Sequence, residues 1–421
     1  MIFKIKVLLN LILCSFFLFP IGFSFLPSGL NTKLMMAAVG LLCLYGDLRR
    51  TADIEKNIFW VVFGGCIFSC IGLFSVFYNE TNDYAYAGYV VSMLVWLSSA
   101  YVFISGVGHV HKQISFRLIV DYLLIVCLLQ CFMALLIELF LPLKYWVDST
   151  IRLVAIDIAV LNEIDRLYGI GAALDPAGVR FASVLILISV VLKKEQELSH
   201  KRLTAYILSF LLIAGIGNLI SRTTMVGAGL GISYLLWSPL LSPDSKGRNR
   251  QYRIYGLLFC AGLLVFIVGY LVFTNFQEMR ELIRYGFEAF FNFAENGEFT
   301  TGSTEKLNTM WVYPDNIKTW IIGDGWFYDP LDRGFYMFTD IGYLRFIFYC
   351  GLSGLLLFIC FFIYIVHVLT DLFPEYRMGF YLLLILGFLV WIKVSTDLFQ
   401  FYAIFLSLSL YLSESKIIKS R

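Results

Sequence analysis

Long runs of Leu, Ile, Phe and Val dominate the chain, and short polar segments interrupt them. A bilayer core about 30 Å thick is crossed by roughly 20 apolar residues in helical form, fewer where a helix is short or partly covered by protein. On that measure the pattern predicts twelve spans, near residues 7–25, 34–45, 57–77, 86–107, 118–141, 178–192, 203–220, 224–242, 254–274, 341–368, 379–392 and 400–412. The second, sixth, eleventh and twelfth are short. No heptads, low-complexity tract or internal repeat accompany them. The expected architecture is all-α and polytopic, a single integral membrane domain over 1–421.

Composition points the same way. Hydrophobic residues make up 59% of the chain and charged ones 15%. The mean hydropathy of +0.79 exceeds what a water-soluble domain of this length carries. A net charge of +2 gives no footprint for nucleic acid. The opening MIFKIKVLLNLILCSFFLFPIGF has the form of a secretory signal, with Lys4 and Lys6 ahead of an apolar run. We read it as a retained first span: Leu13 is too large for a lipoprotein cleavage site before Cys14, and the next span follows almost at once. All nine cysteines fall inside apolar runs and read as small hydrophobes rather than disulfide partners. Cys66/Cys70 and Cys127/Cys131 have helical spacing but no nearby His or carboxylate, so neither a metal site nor a cofactor is expected.

The charges report topology. With the N-terminus in the cytoplasm, seven segments become cytoplasmic: the N-terminal tail, 46–56, 108–117, 193–202, 242–253, 370–379 and 413–421. Together these hold 19 of the 32 basic residues, as the positive-inside rule requires, and an even span count returns the C-terminus to the cytoplasm. Two long segments then lie outside, 142–180 and 275–340. The larger opens with NFQEMRELIRYGFEAFFNF, where Phe276, Met279, Leu282, Ile283, Phe287, Phe290 and Phe291 recur at helical spacing. This predicts an amphipathic helix lying on the outer leaflet or over the bundle. Gly- and aromatic-rich turns follow, including GDGWFYDP at 323–330.

Arginines at the outer ends of spans are the candidate chemistry. Arg222 sits in GNLISRTTMVG (217–227), a tight hairpin between the seventh and eighth spans. A cation there either snorkels to the interface or is at work. Arg166 and Arg180 bracket RLYGIGAALDPAGVR, whose glycines and proline suit backbone bent closely around a ligand. An ordinary loop with Asp165–Arg166 or Asp175–Arg180 surface pairs is the alternative. Arg345 follows TDIGY, about a turn into the tenth span, where Asp340 is its obvious partner. Four arginines at one depth supply planar, permanently charged donors, which bind a diphosphate bidentately and stabilise its charge as it departs.

The segments RLYGIGAALDPAGVRF, GNLISRTTMVGAGLG, WIIGDGWFYDP and TDIGYLRFIFYCGLSGLLL, in that order over about residues 160–365, resemble the bacterial O-antigen and capsule polymerases of the Wzy type. The resemblance implies a membrane glycosyltransferase bundle of the GT-C kind with a large periplasmic loop, in the inner membrane. It implies joining of oligosaccharide repeat units carried on undecaprenyl diphosphate at the periplasmic face, without nucleotide sugar or metal. A flippase and a chain-length regulator of the same pathway are the candidate protein partners. By position, Arg166, Arg180, Arg222 and Arg345 match basic residues that the family uses for glycan and diphosphate. In such a reaction a sugar hydroxyl attacks an anomeric carbon, and Asp340, then Asp324, are the candidate bases. Arg284 and Lys306 are candidate glycan contacts, although Arg284 equally suits a helix-surface pair with Glu281 or Glu288. An O-antigen ligase shares the architecture but places a histidine in the large outer loop, and 275–340 contains none. A flippase or transporter is the rival of another class. Against it, Asp121, Glu138 and Lys393 lie toward span ends and leave mid-membrane nearly uncharged.

Overall fold

The computed structural model describes residues 2–420 except 52–55, 112, 155–157, 159, 160, 162–165, 196, 238–244, 332 and 333. Asp165, the end of the expected eighth span and parts of the basic loops 46–56 and 242–253 lie outside the described residues.

The expected apolar stretches are helical. In chain order the helices are α1 (Ile2–Leu18), α2 (Thr32–Thr51), α3 (Lys56–Tyr78), α4 (Tyr89–Val110), α5 (Phe116–Leu139), α6 (Leu141–Thr150), α7 (Leu174–Lys194), α8 (His200–Ile220), α9 (Thr224–Leu236), α10 (Ser245–Asn275), α11 (Gln277–Gly286), α12 (Glu288–Asn296), α13 (Gly302–Thr309), α14 (Ile317–Ile321), α15 (Gly342–Leu372), α16 (Arg377–Val390) and α17 (Phe399–Ser420). Among the described residues, seven of them (α3, α4, α5, α7, α8, α10 over Gln251–Asn275, and α15) are long and apolar enough to cross a membrane; α9 and Phe399–Leu412 are shorter apolar helices. Phe, Leu and Trp side chains stand exposed along them, Phe77, Phe259 and Phe266 among others, as suits a lipid-facing surface. The protein is therefore an all-α membrane protein.

The first expected span, 7–25, is not one helix. It stops at Leu18 because Pro20 has no N–H and disfavours helical backbone at the residue before it. A short strand β1 (Ile21–Phe23) follows and pairs antiparallel with β2 (Ile151–Leu153), with Gly22 opposite Arg152. Arg152 donates to the carbonyls of Phe23 and Leu26 and fastens the strand pair to the next turn.

The chain divides into two compact units. The first comprises residues 1–32 and 111–299. Its centre is α7, 78% of whose apolar window is buried. Against α7 lies α9, and the small residues of the GAGLG stretch make the approach possible: a Cβ at Gly227 would collide with the Ala182 carbonyl, and one at Gly231 with Ser189. Close backbone approach of this kind drives helix association where no hydrophobic effect operates between helices. The segment 142–180 has its own apolar centre, where Ile21, Ile137, Val147, Ile151 and Tyr168 pack together.

The second unit comprises residues 33–110 and 300–421. Its centre is aromatic. Phe68, Tyr86, Phe346, Phe358 and Trp391 pack ring on ring, with centroids 4.5–6.2 Å apart. The helix α15 is broken at Cys350–Gly351, where Gly351 takes φ +68°. A break frees carbonyls that a helix would otherwise use, and inside a membrane each must find a donor. Here Ser75 Oγ donates to the Tyr349 carbonyl at 2.6 Å, Gly325 N to the same carbonyl at 3.1 Å, and Asp324 N to the Phe348 carbonyl at 2.6 Å. The GDG turn at 323–325 thus caps the break.

Candidate functional site

In the first unit, Arg222 stands in the turn between α8 and α9. Asp175, near the start of α7, holds that turn by accepting from Ser221 Oγ at 3.1 Å and Thr223 Oγ1 at 2.7 Å. Asn218, buried at the end of α8, donates to the Gly286 carbonyl at 2.7 Å and so pins the end of α11 over the turn. The expected amphipathic helix is therefore two helices, α11 and α12, hinged at Phe287. Pinning brings Tyr285 and Glu288 to the arginines. Arg222 Nη2 lies 2.5 Å from Glu288 Oε2. The Arg222 guanidinium is 4.2 Å from the Tyr285 ring centroid, and that of Arg166 is 4.0 Å from the same centroid. Arg222 Nε and Nη1 are buried and make no hydrogen bond among the described residues.

The structure thus brings Arg166 and Arg222 together. Arg180, in α7, stacks instead over Phe19 just past α1, 5.6 Å from its centroid. The helix-surface pair weighed for Arg284 falls elsewhere. Its partner is Glu295 of α12, at 2.6 Å, because the hinge at Phe287 turns that helix back and Glu288 is occupied by Arg222.

In the second unit, Arg345 lies in the first turns of α15 and is only 4% exposed. Its guanidinium sits 3.6 Å from the Phe327 centroid and 3.7 Å from that of Phe335. Nη1 donates to Asp340 Oδ1 at 3.2 Å, the partner foreseen for it. Nε and Nη2 are buried and unbonded among the described residues. A desolvated cation with two idle nitrogens, which carry three N–H bonds between them, is expensive in any protein interior.

Asp324 is committed to structure. Its Oδ1 accepts from Lys318 Nζ and Thr319 Oγ1, each at 2.7 Å, and its Oδ2 from Tyr336 OH at 3.3 Å. Burial, and next the Asp324 carboxylate, push the Tyr336 phenol up to about 12. Lys306 lies exposed on α13, a short helix capped by Thr301.

A cavity of about 150 Å³ lies in the same unit. Tyr86, Tyr89, Ser92, Ser395 and Asp397 bring oxygens to it, and Phe327, one of the rings on Arg345, forms part of its wall. Sequence reading passed over these residues, because they come from three distant segments and share no spacing. Asp397 was visible as the lone carboxylate of the VSTDLF turn before α17. Burial raises its carboxyl above the ordinary range; the Phe399 N–H, donating to Oδ1 at 2.8 Å, then Tyr89 and Lys33 act against that.

Among the described residues no group of His, Cys, Asp and Glu side chains is arranged to hold a metal ion. The nine cysteines are unbridged. No family model matches the chain, and no match to it was found among the curated proteins or the solved structures.

Proposed function

We propose that this protein is a membrane glycosyltransferase of the GT-C-like kind, with twelve spans and both termini in the cytoplasm. It polymerises undecaprenyl-diphosphate-linked oligosaccharide repeat units into O-antigen or capsular polysaccharide at the periplasmic face of the bacterial inner membrane. The observation that carries this reading is Arg345: a guanidinium in an apolar helix, walled by aromatic rings, with two buried donor nitrogens left unused among the described residues. Such donors fit an anion that arrives with its own apolar tail, and a polyprenyl diphosphate is that kind of ligand. Phe335 is more than a third exposed, so this wall of the guanidinium reaches the surface where a ligand would enter.

The chemistry needs no cofactor. A hydroxyl of the incoming unit attacks the anomeric carbon of the growing chain. The bond from that carbon to the diphosphate breaks, and its electron pair leaves on the phosphate oxygen. Arg345, oriented by Asp340, stabilises the departing charge, and donors already in place need no reorganisation to do so. Arg166 and Arg222 on Tyr285, with Arg180, Arg284 and Lys306, are assigned to glycan and phosphate binding. Undecaprenyl diphosphate is a good leaving group, which lessens the need for acid catalysis.

The helix break at Cys350–Gly351 is a feature transporters use to line a midplane site. Here the freed carbonyls are capped by Ser75 and the 323–325 turn, so they offer nothing to a cargo. Loss of the protein in its host, read on a gel of surface polysaccharide, separates the possibilities. A polymerase leaves single repeat units on lipid A, a ligase leaves polymer on carrier lipid, and a flippase leaves carrier-linked glycan in the cytoplasmic leaflet.

A further inference from the structure

We propose that the cavity bounded by Tyr86, Tyr89, Ser92, Ser395, Phe327 and Asp397 is the acceptor-sugar subsite, and that Asp397 is the base that takes the proton of the attacking hydroxyl. This rests on the polymerase reading and adds to it a site and a residue that the sequence did not suggest.

Size is the first support. About 150 Å³ is the size of a cavity that holds benzene, so the site is scaled to one ring, and the substituents of a sugar have to reach its polar lining or its mouth. The lining is the second. Six of its residues carry a hydroxyl or carboxyl group, and the rings of Phe327, Phe346 and Phe358 offer flat apolar faces. A pyranose presents the same alternation, with hydroxyls around its edge and C–H groups on its faces. Tyr86 OH and Ser395 Oγ bond each other and Asp397 accepts from the Phe399 N–H, which leaves Tyr89, Ser92 and Thr396 as polar groups that a sugar hydroxyl can meet and an alkyl chain cannot.

Position is the third. Phe327 is shared between the cavity and Arg345, and Arg345 is close enough to Tyr86 to act on its hydroxyl. A ring held in the cavity therefore packs against a wall, Phe327, that the guanidinium assigned to the diphosphate also touches. Asp340 and Asp324 are less suited to be the base, since the first bonds Arg345 and the second receives three hydrogen bonds. Asp397 lines the cavity itself, with the Phe399 N–H and Tyr89 as its partners and no arginine bonded to it in the way that Arg345 is bonded to Asp340. The carboxylate accepts it as the hydroxyl oxygen bonds to the anomeric carbon, and it returns the proton to water once undecaprenyl diphosphate has left. Its proton affinity, raised by burial, is shifted in the direction that role favours.

The test compares two variants in a host strain lacking the native protein, at equal membrane abundance. Asp397→Asn keeps the shape and removes the base. Ser92→Phe, at an exposed position on the rim, fills the mouth of the cavity and keeps all other groups. The polymerised fraction of the surface glycan falls at least ~10-fold in both, and turnover of purified Asp397→Asn on carrier-linked repeat units extracted from the deletion strain falls roughly 100-fold or more. Should Asp397→Asn be lost from the membrane, Ser92→Phe decides by itself. Normal ladders from both variants, in a strain whose ladders vanish on deletion, overturn the subsite and leave the polymerase reading intact. A deletion strain with unchanged ladders overturns the polymerase reading itself.

Discussion

Arg166 and Arg222 share one aromatic ring: their guanidiniums lie 4.0 and 4.2 Å from the centroid of Tyr285. Two like charges are held together by the ring's negative face and by Glu288, and each cation–π contact is worth about 0.5–2 kcal/mol. Tyr285→Phe keeps the face and should leave polysaccharide ladders at wild-type length. Tyr285→Ala removes it, lets the arginines separate and should shorten the ladders. Silver-stained gels of the two complemented strains check the pair.

Replacing Arg345 separates a binding role from a structural one. Arg345→Met keeps volume and removes a buried, half-satisfied charge, so thermal stability in detergent should hold or rise. Long chains should disappear nonetheless. Arg345→Lys should fail as well, because a compact ammonium offers neither the fork for a diphosphate nor a plane to lie between Phe327 and Phe335. A large drop in melting temperature for Arg345→Met would mark the arginine as a fold element instead.

Asp397 sets a pH dependence with a definite sign. Burial raises its folded-state carboxyl above the unfolded value, while the Phe399 N–H, Tyr89 and Lys33 oppose this; Tyr86 and Tyr402 are its other titratable neighbours. The stability this group contributes is full below the unfolded value and is lost as pH rises through the folded one. Asp397→Asn abolishes that loss. Melting curves of purified protein from about pH 4 to about pH 8 should show the variant gaining on the wild type toward the upper end.

Much of the fold was legible because bilayer thickness and the cost of buried charge act on local sequence. The hairpin at Ser221–Thr223 and the start of α15 beside Arg345 fall where apolar periodicity stops. The Asp340–Arg345 pair was legible for the same reason, being close in sequence and forced by burial. What escaped is non-local. The strands β1 and β2 are three residues each, too short for a pattern, and Pro20 was the one sign that α1 ends early. The break in α15 is written only as Gly351 and makes sense once Ser75 and the 323–325 turn are seen to cap it. Tyr285 falls outside the apolar repeat of the 276–291 stretch and carried no signal of its own, and the cavity at Asp397 is assembled from segments some 300 residues apart, such as Tyr86 and Ser395.

Gly323 tests the capped break. It holds φ +84°, and a Cβ there would strike the Tyr349 carbonyl. Gly323→Ala therefore combines strained backbone with a collision and should cost at least ~2 kcal/mol. The expected result is a lower melting temperature and reduced membrane abundance. Gly229→Ala, at an open position on α9, should change neither.

The polymerase account is tested most directly with the purified protein in liposomes and carrier-linked repeat units extracted from a strain that lacks it. Glycan length and free undecaprenyl diphosphate should rise together, one carrier released for each unit joined, with no nucleotide sugar added. Arg345→Ala should give neither product. Carrier-linked units that stay at a single repeat while the protein remains folded would contradict the account.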